Sequence, residues 1–160
     1  MDLDNREKGF FYREEVRDLF SVPDDYYLAH CISADFGMGK GIVVEFNKRF
    51  NLKNTLISNY PDFLERYDEN IHFQKKNGCC IKEGRILNLI TKRNYWNKPT
   101  YQTIRASLKS MKDICISKDI KKVAMPLIGC GLDRLEWDKV SEIIKSVFSD
   151  TDIEILVCKR

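Results

Sequence analysis

Short apolar runs of strand length alternate along this chain with segments whose apolar residues recur every three or four positions, and that alternation leaves few folds open. Tyr26 to Ile32 (YYLAHCI), Arg85 to Thr91 (RILNLIT), Val123 to Met125 and Ile153 to Cys158 (IEILVC) read as buried strands. The last is rich in β-branched residues, which suit a pleated surface. A further short strand falls around Phe10 to Val16. Between the runs, Ile104, Leu108, Met111 and Cys115 recur at spacings of four, three and four, and Trp137, Val140, Ile144 and Val147 at three, four and three. Each set lays one apolar stripe on a sheet. Ile42, Val43, Phe46 and Phe50 open a shorter helix. Strands alternating with helices predict an α/β sandwich around a largely parallel sheet.

The chain has 160 residues, enough to bury the core of one domain, and shows no internal repeat. No apolar stretch approaches the ~20 residues of a membrane span, and the acidic start (Asp2, Asp4, Glu7) lacks a secretory pattern, so an intracellular protein with no membrane partner is expected. Residues 51–78 are polar and aromatic by turns, contain Pro61 and show no period; they read as helix plus loop, a candidate flap. The six cysteines form no CxxC pair and the histidines are only His30 and His72, which argues against zinc. A formal charge of +3 is too small for a dedicated polyanion binder, and Lys75-Lys76 and Lys121-Lys122 read as solvated faces.

Two glycine loops follow predicted strands. The first is Asp35-Phe36-Gly37-Met38-Gly39-Lys40-Gly41, with three glycines in five residues; it matches neither the Walker pattern nor GxGxxG. The second lies within Pro126 to Arg134 (PLIGCGLDR) and brackets Cys130, which has no adjacent base to activate it. Glycine loops at strand ends gather backbone N–H groups suited to phosphate or pyrophosphate, although two glycines also serve a plain turn. Open α/β sheets take ligands at those strand ends. Lys92 ends another strand. Its ordinary reading is a solvated strand terminus, and its functional one an amine that attacks a carbonyl or sugar carbon once partly desolvated or set beside an acid. Asp133 precedes Glu136 by three residues, as in a helix cap, yet beside a phosphate loop it could also act as a general base.

LAHCIS (Leu28 to Ser33), MGKGI (Met38 to Ile42), LITK with KPTY (Leu89 to Lys92, Lys98 to Tyr101) and PLIGCGLDRLEW (Pro126 to Trp137) resemble, in the same order, the motifs of macro domains, and most of all the branch of the terminal ADP-ribose protein glycohydrolase, or O-acetyl-ADP-ribose deacetylase. The resemblance implies a single macro domain over residues 1–160, residues 1–9 being a flexible extension, folded as a three-layer α/β/α sandwich with a mixed sheet. It implies action on ADP-ribose attached to protein carboxylates or nucleobases without cofactor or metal; an intracellular location, cytoplasmic or nuclear, and a monomer are expected beside it. Lys92 would be the nucleophile on the distal ribose, and Asp133 would assist and resolve the intermediate. Adenine and the proximal ribose would lie near Asp18, Leu19 and Ser33, and the diphosphate across Gly39, Lys40, Gly41 and Ile42 and across Ile128, Gly129, Cys130, Gly131 and Leu132. Met38, Thr91 and Leu127 complete the expected contact set. Non-catalytic ADP-ribose reading and ADP-ribose 1''-phosphate hydrolysis are the alternatives. The chain departs from the family pattern at Arg17, where a glycine is common, at Lys40 in place of a small residue, and in a longer stretch around Tyr60 to Phe73.

Overall fold

The computed structural model describes residues 9–69 and 78–160. Residues 1–8, most of the expected N-terminal extension, and 70–77, the end of the expected flap, lie outside the described residues. Six strands, β1 (Phe11–Val16), β2 (Tyr27–Ser33), β3 (Cys79–Glu83), β4 (Ile86–Lys92), β5 (Lys122–Met125) and β6 (Glu154–Lys159), form one sheet in the order β1-β6-β5-β2-β4-β3. All neighbours pair in parallel except β3, which runs antiparallel to β4 at the edge. The β3 strand was not anticipated. Its signal was Gly84-Arg85, a two-residue hairpin with Gly84 at φ 57°, where a positive φ at the first turn position favours glycine.

The helices are α1 (Val43–Phe50), α2 (Leu52–Asn59), α3 (Phe63–Glu69), α4 (Tyr101–Lys118) and α5 (Trp137–Phe148). The sheet carries a separate apolar layer on each face, because successive strand residues point to opposite sides. Ile86 and Ile90 of β4 join Leu28, Phe46, Leu56 and Phe63 on the α1–α3 side, whereas Leu87 and Leu89 join Ile104, Leu108, Val140 and Ile144 on the α4–α5 side. Burial on both faces explains why β4 reads as an unbroken apolar run. The molecule is thus a three-layer α/β/α sandwich. Among the described residues no helix is long and apolar enough to cross a membrane.

One buried polar pair interrupts the α1–α3 layer. The His30 ring stacks on Phe46 with centroids 3.8 Å apart, and its Nε2 lies 2.7 Å from Asn88 Oδ1. Asn88 Nδ2 donates to Ile81 O, which orients the amide and assigns the His30 proton to Nε2. Burial holds His30 down to about 4, so the ring is neutral at physiological pH.

Candidate active site

Parallel pairing brings the C-terminal ends of β1, β6, β5, β2 and β4 to one edge of the sheet. Both glycine loops, Asp18, Lys92 and the chain end at Arg160 therefore share that edge. The loops meet: a Cβ built on Gly41 would lie 3.5 Å from Leu132 Cδ1.

A bulge sets the position of Lys92. Strands β2 and β4 stay in register through Ile32 and Ile90, and then Ser33 aligns with Lys92, leaving Thr91 as the extra residue. Thr91 is buried beside the Cys31 thiol. Asp133 approaches from the second loop, and Lys92 Nζ donates to its Oδ1 at 3.0 Å. The two side chains are only 15% and 18% exposed, so the pair is largely screened from water. The helix-cap reading of Asp133 fails, since α5 starts after Glu136 with no side-chain cap, and the Glu136 N–H donates instead to Tyr101 Oη at 3.0 Å. An amine and a carboxylate at this distance can exchange a proton, which nucleophilic attack by an amine requires.

The thiols nearby are poor rivals for that role. Burial pushes Cys130 up to about 11, and burial together with the Asp133 carboxylate pushes Cys31 up to about 12. Both remain thiols near neutral pH.

The loops leave backbone N–H groups of the kind that suits an anion. Among the described residues, the backbone N–H groups of Met38, Gly39, Lys40, Gly41 and Ile42 donate to no protein acceptor, and neither do those of Gly129, Gly131, Leu132 and Asp133. The first group leads into the N-terminus of α1, whose N-cap Ile42 offers no side-chain cap. A Cβ at Gly39 or Gly131 would meet nothing within 4 Å, and neither residue has positive φ. No protein neighbour requires glycine at either position, while a ligand lying on the backbone would. Lys40 is exposed beside them; Met38 and Ile128 are buried and Leu127 half-buried, so those three shape the loops from below.

Farther along the edge, Ile42, Phe20, Glu45, Arg49 and Arg160 line a cleft of about 410 Å³. Arg49 stands over the Phe20 ring at 4.4 Å. Asp18 caps the short turn that presents Phe20, accepting from the Phe20 N–H at 3.0 Å, and Arg160 lies 3.6 Å from its carboxylate. Leu19 points into the core. Arg17 folds back on Ser21, its Nε 3.3 Å from Oγ and a terminal nitrogen 3.1 Å from the carbonyl, and so braces the same turn.

Sequence reasoning missed Phe20, Arg49 and above all Asp35. The Asp35 carboxylate accepts from Ser33 Oγ, from the Gly37 N–H at 3.0 Å, from the Tyr95 N–H at 3.2 Å and from Asn94 Nδ2 at 3.4 Å. Burial raises its pKa, but those four donors outweigh burial and hold the carboxyl below its ordinary value. Ser33, expected near the adenine and proximal ribose, donates its hydroxyl to this hub. Only the Asx-turn spacing of Asp35 and Gly37 signalled it.

Comparison with known proteins bears on the family and the fold. A macro domain family model matches residues 76–144. The ADP-ribose glycohydrolase OARD1 of Bos taurus is 43% identical over 144 residues, covering 88% of this chain and 86% of the relative. The Homo sapiens protein of the same name is 42% identical with the same coverage. Among solved structures, the macrodomain of Thermus aquaticus DarG is similar in fold, with a TM-score of 0.72 at 19% identity over 95% of this chain and 100% of that one. Given two relatives above 40% identity over most of its length and a matching fold, the chain belongs to the macro domain family.

Proposed function

We propose that this protein is a hydrolase that removes mono-ADP-ribose from modified protein carboxylates or nucleobases, with Lys92 as nucleophile and Asp133 as its proton partner. The relatives' glycohydrolase activity supports the reaction class, and the observation that carries the residue roles is the screened 3.0 Å contact between Lys92 Nζ and Asp133 Oδ1. Adenine stacks at the Phe20 and Ile42 end, the diphosphate lies over the free N–H groups of the two glycine loops, and the distal ribose reaches Lys92.

Asp133 accepts a proton from the Lys92 ammonium, and the freed amine attacks the anomeric carbon of the distal ribose. A C–N bond forms as the bond to the acceptor oxygen or nitrogen breaks. A carboxylate acceptor leaves with the bonding pair and takes no proton, so Asp133 releases its proton to solvent before the next step; a nucleobase nitrogen takes that proton from Asp133 instead, and in both cases the Asp133 carboxylate is restored. Water then attacks the same carbon, giving its proton to the Asp133 carboxylate, and lysine departs as the amine with free ADP-ribose as product. The same steps release acetate from ADP-ribose acetylated at its anomeric oxygen, acetate leaving in the place of the protein carboxylate.

Single-turnover release of ADP-ribose from glutamate-modified protein tests the reading. Lys92→Ala should abolish release. Asp133→Ala should slow it by about 10²–10⁴-fold; the Lys92 ammonium can also lose its proton to solvent, whereas attack by water then lacks its base, so protein heavier by one ADP-ribose unit should accumulate. Full turnover in Lys92→Ala would overturn the lysine mechanism, and tight ADP-ribose binding without release by the wild type would make the protein a reader.

A further inference from the structure

Residues 98–101, KPTY, lie on the connection that carries the chain from Lys92 to α4, yet they touch the loop that carries Asp133 at two points. The chain leaves Lys92, turns outward through Tyr95 and Trp96, both exposed, and comes back into the fold at Pro99, which is buried. On one side of Asp133, Lys98 Nζ donates to the Leu132 carbonyl at 3.1 Å. On the other, the Glu136 N–H donates to Tyr101 Oη at 3.0 Å. Asp133 therefore sits on a span, residues 132–136, pinned at both ends by the segment that delivers Lys92.

The span does not hold itself. Arg134, next to Asp133, has φ 64°, a left-handed conformation unfavourable for an L-residue with a Cβ. The backbone bonds of the loop run from the Arg134 N–H to Gly131 O at 3.3 Å and from the Leu135 N–H to Gly129 O at 2.8 Å, and neither engages the Leu132 carbonyl or the Glu136 N–H. The protein partners of those two groups are the side chains of Lys98 and Tyr101. The pins in turn are firm. Thr100 caps α4, accepting from the Thr103 N–H at 3.1 Å while its own N–H donates to Thr103 Oγ1 at 2.9 Å, so Tyr101 begins the helix in a fixed place. The Lys139 ammonium, on the helix that the span leads into, stands 5.5 Å over the Tyr101 ring.

We propose that Lys98 and Tyr101 are positioning residues, which act through the Leu132 carbonyl and the Glu136 N–H to hold the Asp133 carboxylate against Lys92. This rests on the glycohydrolase reading of the Lys92 site. In that reading Asp133 takes a proton from Lys92 and later one from water, and such transfers fall off steeply when the groups are displaced by about 1 Å. Neither Lys98 nor Tyr101 has to touch substrate for this. One short connection thus supplies the nucleophile at its start and fixes the nucleophile's proton partner at its end.

The test uses the double variant Lys98→Met/Tyr101→Phe, made alone and together with Asp133→Ala. Methionine keeps much of the lysine's apolar length, and phenylalanine keeps the ring beneath Lys139. The measurement is single-turnover loss of ADP-ribose from glutamate-modified protein at saturating enzyme, whether the ADP-ribose is released or captured on Lys92. The double variant should be slower than wild type by about ten- to a hundredfold, and Lys98→Arg, which still offers a donor to Leu132, should stay within about threefold of wild type. On the Asp133→Ala background the two substitutions should add less than about twofold, because the group they position is gone. An unchanged rate in the double variant, or the full loss repeated on the Asp133→Ala background, would overturn the proposal. Hydrogen exchange without substrate separates its failure from that of the glycohydrolase reading. The Leu135 and Glu136 amides should exchange about tenfold faster in the double variant, the weight of one hydrogen bond, while amides of β4 and of the middle of α4 keep their wild-type rates. That result supports the clip even if no substrate is turned over. Unchanged exchange at Leu135 and Glu136, or faster exchange throughout the fold, overturns it.

Discussion

The two glycine loops face each other across the same edge of the sheet, yet they are held in shape by different means. The loop after β2 is held by side chains. Asp35 gathers four donors, and Phe36, at φ 58°, is kept in that conformation by a ring buried at 4% exposure and stacked on Phe63 at 5.4 Å. The loop after β5 is held by its own backbone. The Leu135 N–H donates to Gly129 O at 2.8 Å and the Cys130 N–H to Leu127 O at 3.2 Å, around a Gly129 at φ 73°. The first arrangement depends on an ionised carboxylate, and the strand leading into it carries the neutral, buried His30; the second depends on one residue lacking a Cβ. Substitution and acid should therefore damage the two halves differently.

The largest effect is expected at Gly129. A valine there would adopt a left-handed φ and place its Cβ 3.0 Å from Leu135 Cδ1 and 3.3 Å from Ile104 Cδ1, costing about 3 kcal/mol of stability in urea unfolding. Acid should strike the other half. Between the ordinary histidine value of 6.5 and about 4, the unfolded chain binds a proton at His30 that the folded chain refuses. Stability therefore falls as pH drops through that window, by about 2 kcal/mol between pH 7 and pH 5. Hydrogen exchange at the two pH values should show amides of β2 and α1 losing more protection than those of the second loop; equal loss would erase the contrast. Asp35 adds to this only at lower pH. Its depressed carboxyl contributes stability above its ordinary value of 3.8 that is lost as pH falls through the folded value.

Asp35→Ala should cost about 1–2 kcal/mol, because the Gly37 and Tyr95 N–H groups lose their acceptor, and it should leave the Lys92 to Asp133 contact intact. ADP-ribose affinity falls while trapping of the Asp133→Ala adduct still succeeds. The smallest stability effect belongs to Gly39→Ala and Gly131→Ala, each within about 0.5 kcal/mol of wild type, since their Cβ atoms meet open space. Calorimetric titration with ADP-ribose should nonetheless show both binding weakly; unchanged affinity would mean that the diphosphate does not lie on these loops.

Much of this was legible before the fold was known, for reasons that differ from element to element. The parallel strands announced themselves because burial on both faces makes them continuous apolar runs, and α4 and α5 because one-sided burial imposes a period near 3.6. The edge strand β3 gave no such signal, its exposure alternating too little to stand out from the segment before it. Asp133 was ambiguous in sequence, since spacing to Glu136 is the only local information and it favours a cap. The contact with Lys92 lies 41 residues away. Asp35 showed only its Asx-turn spacing to Gly37, for the same reason: two of its partners are 59 and 60 residues distant. Tyr95 and Trp96 carried no sign of exposure, because aromatic residues in a sequence read as core.

By itself, then, the sequence determined what depends on near neighbours along the chain. It set which segments become strands and helices, where glycine permits the backbone to turn or lie open, and which residue types could supply an amine, a carboxylate and an anion cradle. Only the tertiary structure decided which of those groups meet. The parallel register, the bulge at Thr91 and the convergence of strand ends bring together side chains dozens of residues apart, and local propensity carries no information about such distances.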